Sequence, residues 1–208
     1  MMNTNPYLVP ECDCLFEEEI KKSRFLTYLH RVSSHDEAKA FVSTIKSQHP
    51  EARHHCWGYV CGRPTDSMSW GFSDDGEPSG TAGKPILAQL SGSGVGEVAA
   101  VVVRYYGGIR LGTGGLVKAY GGGVQQALKL LTTVEKHITT IVVLKMDYSL
   151  VPLVQSILKD FSASESEVSY QQDVTMDVEI DIAQVNSFTQ TIINRSGAKV
   201  IIVTPDEN

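Results

Sequence analysis

Val174-Thr175-Met176-Asp177-Val178-Glu179-Ile180-Asp181-Ile182 alternates apolar and polar residues without a break. Successive side chains of a strand point to opposite faces, so this run predicts a strand with one buried and one wetted side. The flanking sequence sets its place. Tyr170 lies on a preceding strand, and before that Val151, Val154, Leu158 and Phe161 recur at helical spacing. Residues 141–144 (IVVL) form a strand ahead of that helix. Downstream, Val185, Phe188 and Ile192 mark a second helix, which Ser196-Gly197 ends. Residues 200–203 close the segment as a strand. The order βαββαβ predicts a ferredoxin-like domain. Its start is placed near Glu135, which divides the chain into residues 1–135 and 136–208 of an α+β protein.

The first domain is built differently. All but one of the 18 glycines lie between Gly58 and Gly123, the exception being Gly197. Residues 14–32 read as a strand pair with a charged turn. Ser34-His35-Asp36-Glu37 is a capping box opening a helix whose apolar face is Ala38, Phe41, Val42 and Ile45, and His49-Pro50 ends it. Residues 56–60 form a strand. Residues 62–83 read as a long, turn-rich connection, and Lys84-Pro85 starts a short helix. Residues 98–103 (VAAVVV) show no polar alternation, which predicts a central strand buried on both faces. A second helix spans residues 115–131, and Gly121-Gly122-Gly123 inside it is expected to serve close packing on the sheet.

Composition excludes several roles. A net charge of −6 argues against a protein that coats nucleic acid through a generally basic surface, so any such contact needs a local patch. The longest apolar run, residues 98–103, is far too short to span a bilayer, so no membrane partner is expected. Met1 to Glu11 lacks the basic start and apolar core of a signal peptide, which makes a cytoplasmic location the expectation. There the four cysteines, Cys12, Cys14, Cys56 and Cys61, would be reduced. A strand through Cys56 holds Cys56 and Cys61 too far apart for one metal and sends His54 and His55 to opposite faces, so zinc requires that this stretch not be a strand. No cofactor is expected.

The glycine-rich third carries the candidate sites. Gly80-Thr81-Ala82-Gly83-Lys84-Pro85 is not a phosphate loop, since Pro78 and Pro85 stand where that motif needs glycine and a hydroxyl residue. It is still a glycine turn that feeds N–H groups and Lys84 toward a helix start, a generic anion site, with a plain turn as the alternative. Thr113-Gly114-Gly115 is a second: Thr113 reads as N-cap, with Arg104, Arg110 and Lys118 close in sequence. Arg104-Tyr105-Tyr106 ends the buried strand, a pairing suited to gripping a phosphate and stacking a base. Because faces alternate, the expectation is Arg104 and one tyrosine rather than both. Asp74, Asp75 and Glu77 form an acidic cluster that could ligate a hard cation or simply be solvated. No catalytic nucleophile–base arrangement stands out, so a binding role is favoured over an enzyme.

These motifs carry a resemblance. Phe72-Ser73-Asp74-Asp75-Gly76-Glu77-Pro78, Gly80 to Pro85, Val103-Arg104-Tyr105-Tyr106-Gly107-Gly108 and Leu111-Gly112-Thr113-Gly114-Gly115-Leu116 resemble the IMPACT family, most closely its bacterial YigZ-type members. Arg53-His54-His55-Cys56 fits the same pattern, and the likeness runs over nearly the whole chain. It implies a first domain similar to domain IV of elongation factor G and to a ribosomal-protein domain, and a second similar to domain V of that factor. Eukaryotic members act in translational control through an added RWD domain, for which this sequence offers no counterpart. The resemblance therefore implies a translation-associated, regulatory or RNA- and ribosome-binding protein. Its anion-binding face would comprise Arg53, His55, Thr81, Lys84, Arg104, Tyr105, Tyr106, Arg110, Thr113, Gly114 and Lys118. Two alternatives remain: an enzyme or binding protein for a small phosphorylated ligand, with a divalent cation at Asp74, Asp75 or Glu77, and a protein-interaction module that docks a translation-related protein.

Overall fold

A computed structural model describes residues 4–203. The first three residues of the stretch read for a signal peptide lie outside the described residues. Among the described residues the chain divides into two compact units, Tyr7–Lys136 and a second comprising residues 4–6 and 137–203. No helix among the described residues is long and apolar enough to cross a membrane.

The first unit contains, in chain order, β1 (Tyr7–Pro10), β2 (Cys14–Ile20), β3 (Ser23–Arg31), α1 (His35–Gln48), β4 (His54–Val60), β5 (Trp70–Ser73), α2 (Gly83–Gly92), β6 (Val98–Tyr105), α3 (Thr113–Leu130) and β7 (Thr133–Lys136). Five strands form an antiparallel sheet in the order β2-β3-β6-β4-β5, and β1 pairs with β7 in a separate ribbon.

The apolar run of residues 98–103 is the central strand of this sheet, as its lack of polar alternation predicts. Its side chains feed two cores by turns. Val98, Ala100 and Val102 pack with Ile86 and Leu90 of α2 and Leu116, Tyr120 and Val124 of α3. Val101 and Val103 pack on the opposite face with Ile45 and Phe41 of α1. Burying each such aliphatic side chain contributes about 1.5–3 kcal/mol, so helices on both faces are the favourable outcome for this sequence. The same alternation sends Arg104 to the α2/α3 side and Tyr105 to the α1 side.

Capping at α1 follows the expected box with one change. Ser34 Oγ accepts the N–H of Glu37, while the Glu37 carboxylate reaches back to the N–H and hydroxyl of Ser33 rather than to Ser34. The long connection of residues 62–83 contains a strand that the periodicity does not reveal. β5 is only four residues long, includes Gly71, and is held by its ladder to β4. Its formation is tertiary, not local.

The second unit is the expected βαββαβ: β8 (Thr139–Met146), α4 (Val151–Asp160), β9 (Ser164–Tyr170), β10 (Val174–Asp181), α5 (Val185–Ser196) and β11 (Ile201–Val203). The sheet order is β11-β8-β10-β9, all antiparallel, the ferredoxin-like arrangement. In β10, Val174, Met176, Val178 and Ile180 are buried against Val154, Ile157, Phe188 and Ile192 of the helices, and Asp177 and Glu179 face away from them. Gly197 ends α5 in the left-handed conformation at φ +62°.

Candidate functional site

The acidic triplet does not act as a cluster. Asp74 turns toward the start of α2. Its carboxylate accepts three backbone N–H groups: Gly80 at 2.8 Å, Ala82 at 2.9 Å and Gly83 at 2.8 Å. The N-cap position of α2, Ala82, has no side chain able to cap, so Asp74 caps the helix from eight residues upstream. Partial burial opposes ionisation of Asp74, but these donors, aided by the charge of Lys84, outweigh it and hold the carboxyl below the ordinary aspartate range. Asp75 faces the other way, accepting Lys46 Nζ and the backbone N–H of His55, each at 2.7 Å. Glu77 is buried and meets Arg104 Nη1 at 2.6 Å and the Tyr120 hydroxyl at 2.8 Å. Among the described residues no three His, Cys, Asp or Glu side chains converge to hold a metal ion. The divalent-cation reading of Asp74, Asp75 and Glu77 thus meets three separate structural roles instead of a ligand set.

This geometry also revises the turn from Gly80 to Pro85. Its N–H groups do form an anion nest, but the protein's own Asp74 fills it. Thr81 is buried and donates its hydroxyl to the Pro78 carbonyl, and Lys84 stands exposed beside the occupied nest.

The second glycine turn is open. N-cap of α3 is Gly112, at φ +74°, not Thr113, which is the first helical residue, and no side chain caps the helix. The first intrahelical bond is Leu116 N–H to the Gly112 carbonyl, so the N–H groups of Thr113, Gly114 and Gly115 precede the ladder. A Cβ on Gly114 would meet nothing within 4 Å, so packing does not require glycine there.

Beside this helix start lies a pocket of about 470 Å³ lined by Arg53, His54, Glu77, Pro78, Arg104, Tyr106, Arg110, Leu111, Gly112, Thr113 and Leu116. The strand register assembles it: β4 and β6 pair His54 with Arg104, which brings Arg53 to the end of the strand that carries Arg104. Arg104 forms the floor. It is 6 % exposed, bonded to Glu77 and, at 3.4 Å, to Ser23 Oγ, yet its Nε has no hydrogen-bond partner. Its guanidinium lies 5.4 Å from the ring centre of Tyr106, which is 51 % exposed. Of the two tyrosines, it is Tyr106 that lies beside Arg104. Tyr105 is on the α1 face, where its hydroxyl contacts His49 Nδ1 at 2.8 Å. Arg53 and Arg110 are exposed, and neither has an ion-pair partner among the described residues.

Of the candidate residues, the pocket brings together Arg53, Arg104, Tyr106, Arg110 and Thr113. Gly114 follows in the same helical turn. His55 is buried on the α1 side, its Nε2 donating to the His49 carbonyl at 3.0 Å, and Lys118 is exposed farther along α3. The titratable lining residue missed from sequence is His54, whose Nδ1 donates to the Asp75 carbonyl at 2.9 Å. Strand parity was the available signal: it separates His54 from His55 and places His54 on the side of Arg104. Behind the floor, burial pushes the Cys56 thiol and the Tyr120 hydroxyl up from their ordinary values, so both stay protonated and unreactive.

Comparison with known proteins follows the same division. The Impact N-terminal domain matches residues 21–128, and a domain of unknown function, DUF1949, matches residues 144–199. The chain is 50 % identical over 196 residues to an IMPACT family member of Haemophilus influenzae, covering 94 % of this chain and 95 % of that one. It is 48 % identical to the IMPACT family member YigZ of Escherichia coli, covering 97 % and 98 %. YvyE of Bacillus subtilis is 37 % identical, with 86 % and 82 % covered. A crystal structure described as that of a hypothetical protein matches with a TM-score of 0.74 at 48 % identity, covering 98 % of both chains.

Proposed function

The chain belongs to the IMPACT family, and on that premise we propose that it is a translation-associated protein that binds RNA, on its own or in the ribosome, through the basic pocket at the start of α3. One observation carries this reading. Arg53 and Arg110, with no carboxylate partner among the described residues, share a pocket with Arg104 and with the uncapped start of an 18-residue helix. Helix N-termini and arginines both favour phosphate. The chain as a whole carries −6, so the attraction is local and specific in place.

The alternative of a phosphorylated ligand bridged by a divalent cation has less support, because Asp74, Asp75 and Glu77 are each engaged elsewhere. The test is a salt titration of binding to a single-stranded RNA and to ribosomes. With two or three phosphates neutralised, log K falls against log salt with a slope of about −1.5 to −2, and the Arg53→Ala/Arg110→Ala pair flattens it by more than 1. Absence of any RNA or ribosome affinity at low salt rejects the proposal.

A further inference from the structure

The same pocket points to the unit it recognises. We propose that it holds one unstacked nucleotide, the base lying on Tyr106 and the phosphate meeting Arg53, Arg110 and the N–H groups of Thr113, Gly114 and Gly115. This rests on the phosphate reading above and narrows it.

Four observations meet here. The volume, about 470 Å³, falls in the range of small-ligand sites. Tyr106 presents half its surface while the Arg104 guanidinium backs its ring, so the ring is held in place before a base arrives. Arg104, more than nine-tenths buried and lining the pocket, fixes a guanidinium in its floor. The first turn of α3 adds N–H groups that no side chain caps. Glu77 is the one carboxylate in the lining, and its pairing with Arg104 and Tyr120 removes it as an obstacle to phosphate.

An A-form duplex keeps its bases stacked inside and its major groove closed to side chains, so this geometry selects unpaired RNA. The nucleotide unit has two sources, a free mononucleotide and a position in a single strand, and the arms of one experiment separate them. The full chain is titrated with AMP, adenosine, inorganic phosphate, a twelve-nucleotide single-stranded RNA and the corresponding duplex. The expected result is at least tenfold tighter binding of the single strand than of the duplex, with AMP competing and adenosine and phosphate each competing poorly. Tyr106→Ala weakens the single strand roughly 5- to 150-fold and Tyr106→Phe restores it, as expected for base stacking. Tyr106 is half exposed, so neither substitution threatens folding. If AMP binds and the single strand does not, the nucleotide site stands with a free ligand and the RNA reading falls. If the duplex binds as well as the single strand, or Tyr106→Ala changes nothing while Arg53→Ala/Arg110→Ala still weakens RNA, the nucleotide proposal is overturned and the phosphate reading survives.

Discussion

Asp74 offers the sharpest test of how this fold is held together. Replacing it by alanine removes a carboxylate that accepts three backbone N–H groups at 2.8–2.9 Å. Hydrogen bonds to a charged group contribute about 1.5–3 kcal/mol each. They are not additive here, because Gly80 lies near solvent and water can replace its bond. Ala82 and Gly83 are buried and have no such recourse. The expected loss is therefore about 2–4 kcal/mol, more than an ordinary helix cap supplies. The chain has two tryptophans, Trp57 and Trp70, and both lie in the first unit, so urea unfolding followed by tryptophan fluorescence reads this unit alone. The folded-state pKa of Asp74 is depressed, so its contribution is present above the unfolded value and lost as pH falls through the folded one. The gap between wild type and Asp74→Ala should be full at pH 7, begin to narrow near about pH 4 and go on narrowing as pH falls through the lower folded-state value. Acetate or sulfate should restore part of the stability of Asp74→Ala beyond an equal ionic strength of chloride, by occupying the vacated nest, and should do nothing comparable to wild type. A loss under about 1 kcal/mol, or a gap that does not change with pH, would refute the claim that this carboxylate caps α2.

Further outcomes follow from the packing around the pocket floor. Glu77→Ala leaves Arg104 buried without its counter-charge and should cost about 3–5 kcal/mol in urea unfolding, while Glu77→Leu combined with Arg104→Met should recover most of that. The glycine triplet of α3 splits in a way the sequence does not disclose. A Cβ on Gly123 would sit 2.8 Å from Thr27 Oγ1, whereas one on Gly122 meets nothing within 4 Å. Gly123→Ala should thus lose about 1–3 kcal/mol from overpacking, and Gly122→Ala should gain up to about 1 kcal/mol from helix propensity, both measured by thermal unfolding.

The elements that were legible in sequence are those whose signal is carried by one segment. Val98 to Val103 reads as a doubly buried strand because its own side chains say so, and β10 reads as half-buried for the same reason. Strand parity even separates Tyr105 from Tyr106 and His54 from His55. What escaped were features made by segments returning to each other. β5 exists because β4 offers it a ladder. Gly80, Ala82 and Gly83 look like a free nest until the chain folds Asp74 onto them. Arg53 joins Arg104 only through the register of β4 against β6. Periodicity is blind to such meetings, since nothing in either partner's local pattern names the other.

The two glycine-rich helix starts make the functional argument stronger together than either does alone. Both present backbone N–H groups at a helix N-terminus, and both carry glycine in the first turn. At α2 the chain supplies its own anion, and the site is closed. At α3 it supplies none, and instead places Arg53 and Arg110 beside the opening. Scarcity of acid does not explain this, because the chain has 24 acidic residues against 18 basic ones. Nor does packing explain Gly114, which has open space where a side chain would stand. Gathering like charges without a counter-ion opposes folding, and leaving a buried Arg104 Nε unpartnered adds to that. The gathered charge becomes favourable when an anion from outside the chain enters the pocket. The Asp74 carboxylate at α2 is the internal example of what that anion would do at α3.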